Sequence, residues 1–426
     1  MKSARLAAVV AFAFFSSVAG ATMLPGFRME QIATVPGYCS SIVVDSRGTI
    51  YYTVTQGGLY RLDAAGGSDP TVYTSTNITQ LPTQFLGNAG LLGMALLDDT
   101  TAAVHYTTNG PWDPVAPAYE VISKVDLTSG AETILASLPD DITLPGRNVS
   151  GEHHGGNPTI GDNGSIYVGI GEFGELWLAP DNAWWGGKIV RVDADGTVTK
   201  IARGFRNPFG IAWDKTNKRL IVSDNGDGVD DEMNIVTAAG GDYGWPCTMG
   251  NAPPCATNPN TVPPIYVFPK IVAPTGLTAL SGRNSYMRSG YLLATFVTKA
   301  VHYFPDIDVR PLPDPIALVD GETTALIDVT EGPNGEVYFT NGTAIYRLTL
   351  PRRGDCNGDG LIDIHDMAAL TLELADGDPH PTITAQDGAY AGSWGCDANG
   401  DGVISSADYA ALAALIRTRV RAVRSR

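Results

Sequence analysis

The sequence predicts an all-β fold, a six-bladed β-propeller, followed by a small C-terminal α-helical module of two EF-hand-type calcium loops. Three observations predict it. Between Leu24 and Leu350 one phrasing recurs: an apolar strand, a turn rich in Asp, Asn and Gly, then a second strand with aromatic alternation. Six copies begin near Ser40, Gly90, Asn157, Asn207, Thr275 and Leu326, a spacing of roughly fifty residues that suits a radial all-β array. No amphipathic helix of useful length interrupts them. After Arg352 the composition changes, and two Asp-rich loops each lead into an apolar helical run. A double β-sandwich would leave the shared register unexplained.

Met1–Ala21 reads as a secretory leader: Lys2 and Arg5 in front, an apolar Leu6–Phe15, then Ala19-Gly20-Ala21 as the cleavage signal. That run is too short to cross a bilayer, and no later segment approaches the ~20 apolar residues required. The expectation is therefore an exported protein with no membrane span, its propeller over 24–350. A net charge of -17 argues against nucleic acid and anionic membranes as partners, and the Asp content favours calcium. With 49 Gly and 28 Pro the chain is rich in turns. Export permits disulfides. Cys247 and Cys255 flank a short Pro-containing loop and pair locally, and Cys356 and Cys396 hold similar places in two repeats and pair across them. Cys39 is left as a buried thiol.

The third unit carries the first chemistry, EHHGGNPTIGDNGSIYVGIGE over Glu152–Glu172. The chain has only six histidines, so an adjacent pair in a Gly-rich loop, with a strand that ends at a carboxylate, stands out against a solvated turn. The fourth unit supplies the second, over Gly204–Pro246. Arg206 precedes Asn207-Pro208 where Gly156 precedes Asn157-Pro158 one unit earlier, so a propeller brings Arg206 to the channel mouth beside His153. His153 then acts as general base, Glu172 orients it, and Arg206 holds developing charge on an oxygen. The turn Asn225–Glu232 offers backbone carbonyls and Asp227, Asp230, Asp231 and Glu232, an oxygen density suited to calcium or simply to an acidic surface loop.

The C-terminal loops are more specific. Asp355, Asn357, Asp359, Asp363 and Asp366 stand at positions one, three, five, nine and twelve, with Leu361 at seven and Gly360 at the sharp turn. Asp397, Asn399, Asp401, Val403, Ser405 and Asp408 repeat the pattern around Gly402. The module is expected over 354–416, and Arg417–Arg426 as a frayed basic tail.

Taken together, EHHGG with Glu172 downstream, GLLGMAL, ARGFRNPFGIAWD, DDEMNIV, GGDYGWP and IDVTEGPNGEVYF resemble the soluble glucose/sorbosone dehydrogenases that use pyrroloquinoline quinone (PQQ). The resemblance spans about Leu24–Leu350. It implies a six-bladed propeller with PQQ and calcium at the channel mouth, and a sugar as substrate. His153 would take the proton of an anomeric hydroxyl, Arg206 would stabilise the quinone oxygen, and Glu172 stands where an Asp usually contacts the histidine. Asn88, Glu152 and Asn207 would touch the cofactor, and Gly226, Asp227, Asp231 and Glu232 would serve the metal. Four positions depart from the pattern. Asn88 stands where a Gln or Glu usually precedes GLLG. Ala325 and Ile327 replace two arginines that clamp the PQQ carboxylates, and Thr298 replaces a lysine, with Lys299 beside it. The C-terminal pair of loops resembles a type I dockerin, which implies calcium and a cohesin-type or cell-surface partner; its inter-loop insert DGDPHPTITAQDGAYAGSWG and paired cysteines are departures. Two functions follow, an exported PQQ- and calcium-dependent sugar dehydrogenase or a non-catalytic propeller that binds a glycan or protein. A calcium-dependent lactonase is a third, since such hydrolases share the propeller.

Overall fold

A computed structural model describes residues 21–424 apart from 65–72, 84–86, 110–117, 141–151, 229, 238, 285, 377–389 and 391. The expected leader, 1–21, lies outside the described residues but for its last.

Six sheets stand around an axis, each opening on the strand the repeat phrasing marks: Cys39–Val44, Leu91–Asp98, Thr159–Ile160, Pro208–Asp214, Pro274–Ala279 and Asp328–Glu331. Each inner strand pairs antiparallel with the next in sequence; turns rich in Asp, Asn or Gly join them at short range, except in blade five, where the longer connection 280–290 does so. Blade six is closed by the other end of the chain. Arg28–Thr34 pairs antiparallel with Ala344–Thr349 and forms its outer strand. Thr22–Met23 pairs with Val319–Asp320 on the edge of blade five, so the sheet structure begins just before the expected start at Leu24.

Apolar side chains between neighbouring blades form the core, with Leu91, Val104 and Tyr106 facing Leu59, and Ile166, Val168 and Ile170 facing Ile122. The inner strands line the channel. At its waist a Cβ at Gly93 would run into Asn157, and one at Gly276 into Asp328, so glycine is required where the strands crowd. Ser41 Oγ and the Ile42 N–H donate to Asp328 Oδ2 at 2.8 and 2.9 Å and close the waist. Beyond it lies a cavity of about 360 Å³, lined from every blade by Val44, Leu96, Ile160, Trp213, Ala279 and Thr330.

The C-terminal module does not hang free. Its Cys356, Leu370, Trp394, Cys396, Ile404 and Leu412 share one buried cluster with Phe27, Tyr286, Met287 and Tyr303 of the propeller. Trp394 is fully buried, edge-on to Phe27 with ring centroids 5.0 Å apart. Arg288 Nη2 donates to Gly400 O at 2.8 Å. Helix α1 is Ile364–Glu373 and helix α2 is Asp408–Arg424. Asp363 and Asp366 form a capping box on α1, which satisfies N–H groups the helix cannot. The expected frayed tail from Arg417 is instead a continuation of α2 to Arg424. Arginine is a good helix former and a favourable charge at a helix C-terminus.

Both expected disulfides form, Cys247–Cys255 with Cα atoms 5.9 Å apart and Cys356–Cys396 at 4.2 Å. Cys39 is a buried free thiol whose burial pushes its pKa to about 12, so it is an inert core residue. Among the described residues no helix is long and apolar enough to cross a membrane.

Candidate active site

The Gly-rich loop 153–157 enters blade three at the channel mouth, and a different anchor holds each of its residues. His153 adopts a left-handed backbone, φ 52°, which a non-glycine residue keeps only when its surroundings impose it. The His153 carbonyl accepts from the Phe173 N–H at 3.1 Å. The Gly155 N–H donates to Asn207 Oδ1 at 3.0 Å and the Asn157 N–H to Phe209 O at 3.2 Å, both on blade four. Gly155, at φ 85°, has no room for a Cβ because the Gly169 carbonyl already fills it.

His153 Nδ1 lies 2.7 Å from Glu172 Oε1, at the end of strand Ile166–Ile170. The pair is almost sealed, with side-chain exposures of 13% and 1%. Glu172 Oε2 is buried and has no hydrogen-bond partner among the described residues. An acceptor so placed fixes Nδ1 as the protonated nitrogen and leaves Nε2 with its lone pair. The Glu172 N–H donates to Arg206 O at 2.9 Å, so Glu172 joins the histidine loop to the arginine segment.

Arg206 is half-buried. Its Nη1 donates to Asn225 O at 3.3 Å and its guanidinium carbon lies 5.5 Å from the Trp245 ring centroid, within cation–π range. The N–H groups of Arg206 and Asn207 donate to Asp224 at 3.0 and 2.7 Å. Burial raises the Asp224 carboxyl well above the usual range, and Glu232 opposite it on the next strand adds to this.

Other expected site residues are placed differently. Asp231 and Glu232 turn inward: Asp231 accepts from the N–H groups of Gly226, Val272 and Ala273, and Glu232 from Asn234 Nδ2 and the Gly250 N–H. Both are 2% exposed, and their oxygens shape the loop rather than facing outward as metal ligands. Buried carboxylates must be satisfied by donors, and this loop supplies backbone N–H groups. Burial pushes Glu232 up to about 7. Gly226 and Asp227 remain at the partly open rim. Asn207 spends its amide oxygen on Gly155 and is 8% exposed, so it buttresses the histidine loop. Asn88 and Glu152 are exposed, Asn88 in the turn before Leu91 and Glu152 beside Gly174. Ile327 is 5% exposed, Thr298 Oγ1 lies 2.8 Å from Thr295 Oγ1, and Lys299 Nζ donates to Thr323 O at 3.0 Å.

Sequence reasoning missed the residues beneath His154. Glu120 is fully buried and faces two imidazoles, His105 Nε2 at 2.8 Å and His154 Nδ1 at 2.6 Å. It also missed Trp245 under Arg206. The signal available was rarity: two more of the six histidines, His105 and His302, sit on strands where a polar residue asks for a partner.

In the C-terminal module the loop carboxylates are already gathered. Asp366 accepts from the N–H groups of Cys356, Asn357 and Asp363, and Asp408 from those of Asn399 and Ser405. Gly360 and Gly402 donate to Asp355 and Asp397 at 2.8 and 2.9 Å. Burial raises Asp355, Asp366 and Asp408, helped by neighbouring carboxylates. Leu361 and Val403 stand at the turn of each loop, exposed.

Comparison with known proteins agrees with this architecture. Residues 42–347 match the family model Glucose / Sorbosone dehydrogenase, and residues 353–417 match Dockerin type I domain. Quinoprotein glucose dehydrogenase B of Acinetobacter calcoaceticus is 27% identical over 231 residues, 46% of this chain and 47% of that protein. An aldose sugar dehydrogenase of Escherichia coli is 28% identical over 111 residues, 23% of this chain and 30% of the other. These matches span about half, or less, of the curated relatives' length. In fold the chain is similar to the PQQ-bound aldose sugar dehydrogenase of Streptomyces coelicolor, with a TM-score of 0.60 at 22% identity over 76% of this chain and 99% of that one. The histidine loop, the arginine segment and most of the ring of six blades fall inside the matched span, and the chain belongs to the glucose/sorbosone dehydrogenase family, extended by a C-terminal domain of dockerin type.

Proposed function

We propose that this chain is an exported sugar dehydrogenase that oxidises an aldose or a related sugar alcohol with PQQ and calcium. The observation that carries the reading is the His153–Glu172 pair, nearly sealed and joined through the Glu172 backbone to Arg206. Nδ1–H is committed to Glu172, so Nε2 accepts the proton of a sugar hydroxyl, and the carboxylate stabilises the imidazolium that results. Arg206, backed by Trp245, faces oxygen that gains negative charge. PQQ, when bound, supplies the two-electron acceptor that takes the hydride.

The residues present fit such a group unevenly. A carboxylate oxygen without a partner at Glu172, a histidine oriented for proton transfer and an arginine beside it suit the reacting end. Backbone carbonyls of Gly226 and Asp227 would hold the calcium. The carboxylate end is poorer, since Ala325 and Ile327 offer no cation, although Lys299 Nζ reaches Thr323 O at 3.0 Å, two residues away from Ala325. Weak cofactor binding is the consequence. That same loss favours the second reading, a propeller that binds a glycan or protein without turnover.

The module would bind calcium through its two loops. Leu361, Ile364 and Leu372, 56%, 68% and 53% exposed, would meet a cohesin-type partner. The deciding experiment is calorimetric titration of PQQ into the calcium-loaded protein, followed by dye reduction across a panel of aldoses. His153→Ala should lower turnover by about 10²–10⁴-fold with PQQ binding unchanged. No heat of binding and no PQQ-dependent turnover would leave the binding-propeller reading in its place.

A further inference from the structure

Glu120 lies one layer below the histidine loop, and nothing in the proposed chemistry uses it. It stands on strand Ala118–Asp126 of blade two, fully buried, between two imidazoles from different blades. Thr107 Oγ1 donates to it as well, at 3.2 Å. His105 has its other nitrogen, Nδ1, 3.0 Å from the carbonyl of Gly156. A carbonyl oxygen only accepts, so Nδ1 must carry a proton. A carboxylate also only accepts, so Nε2 must carry one too. Both nitrogens of His105 are therefore donors, and the ring is an imidazolium paired with the Glu120 anion. Burial by itself drives the Glu120 carboxyl up, but His154 and His105 outweigh it and hold Glu120 at about 2.

The contacts divide the loop between blades. Blade four holds Gly155 and Asn157 through Asn207 and Phe209. Glu120 holds the alternate residues, His154 directly and Gly156 through His105. His153 sits between these anchors in a backbone conformation that needs them. We infer that Glu120 is a positioning residue: by pairing with His154 and His105 it locks the loop that presents His153. This inference rests on the proposed dehydrogenase reading for its kinetic consequence and on geometry alone for the rest.

Glu120→Gln is the informative variant. A carboxamide can accept from His154 through Oε1 and donate to His105 through Nε2, so every contact survives with His105 neutral. Glu120→Ala removes both anchors. The full chain, loaded with calcium and titrated with PQQ, should show kcat per bound quinone falling about 10–100-fold in Glu120→Ala, the size expected when a reacting group is displaced by about an ångström. Glu120→Gln should retain most of kcat. Histidine ¹⁵N spectra of the wild type at pH 7 should show one ring with both nitrogens protonated, lost in Glu120→Gln. Backbone amide exchange at Gly155–Asn157 should quicken in Glu120→Ala and stay slow in Glu120→Gln.

Wild-type kcat per bound quinone in Glu120→Ala, or a neutral His105 at pH 7, overturns the inference. Absence of turnover in every protein would sink the dehydrogenase reading, and the amide-exchange comparison would then decide this one by itself. Equal exchange in the two variants overturns it. Should Glu120→Ala not fold, His154→Leu removes one anchor and should quicken the same amides, and unchanged exchange there counts equally against it.

Discussion

Trp394 belongs by sequence to the C-terminal module, yet replacing it with alanine should destabilise the propeller. The side chain is fully buried between Phe27, Tyr286 and Tyr303, with ring centroids at 5.0, 6.2 and 6.2 Å. Trp→Ala in a core costs about 3–5 kcal/mol, part transfer and part cavity. Its Nε1 is buried with no partner among the described residues, a desolvation cost of about 1–3 kcal/mol that alanine relieves. The net loss is therefore expected toward the lower end, about 3 kcal/mol, with Trp394→Phe recovering more than half of it. Phe27 directly precedes Arg28–Thr34, the strand that closes blade six, so the loss is felt at ring closure. The assay is denaturant unfolding of the full chain at fixed calcium, followed by near-ultraviolet circular dichroism of the propeller aromatics and far-ultraviolet signal of the helices. Both transitions should shift together to lower denaturant. If the aromatic transition stayed at the wild-type midpoint while only the helices melted early, the shared core would be refuted as an energetic unit.

Three further outcomes are expected. Chelation of calcium should lower helical circular dichroism at neutral pH and shift the propeller transition downward as well, because the loop carboxylates repel one another without metal and the module packs on the closing strand; an unchanged propeller midpoint would contradict the coupling. Asp328, pushed up to about 7 by burial, keeps a proton in the folded state that the unfolded chain releases from about pH 4, so its contribution falls as pH rises from about 4 to 7 and is level above. Asp328→Asn should lack that slope, and thermal melts of both proteins at pH 4.5, 6 and 7.5 that run parallel would refute it. Ala325→Arg should tighten PQQ about ten-fold or more, since a charge-assisted hydrogen bond contributes about 1.5–3 kcal/mol, with little change in turnover at saturating cofactor; titration calorimetry measures it, and an unchanged dissociation constant would place position 325 away from the cofactor.

The six inner strands were legible because each is specified locally, by a short apolar run followed in most units by a turn rich in Asp, Asn or Gly, and they stand where the repeat phrasing puts them. The closeness of Glu172, His153 and Arg206 was legible too, since equivalent positions in adjacent repeats meet at one mouth. The direction of a side chain was not. Asp231 and Glu232 turn inward because Val272, Ala273 and Gly250 bring unsatisfied N–H groups to them, and that requires two long loops to be folded already. Glu120 was invisible for a related reason: its partners lie 15 and 34 residues away, on another strand and another blade, and no period relates them. The docking of the module was hidden likewise, because Trp394 lies in the inter-loop insert, which no repeat specifies.

That docking also decides which way the molecule faces. Inner strands start at the mouth with His153 and Arg206 and run away from it, and the chain leaves blade six at Thr349, beside Arg28, at the far end. Arg288 and Tyr286, which meet the module, belong to the connection after Ala279, at that same end. The module is thus a handle on the rim opposite the mouth. A molecule held by it from any surface turns its His153 opening outward, toward whatever diffuses past.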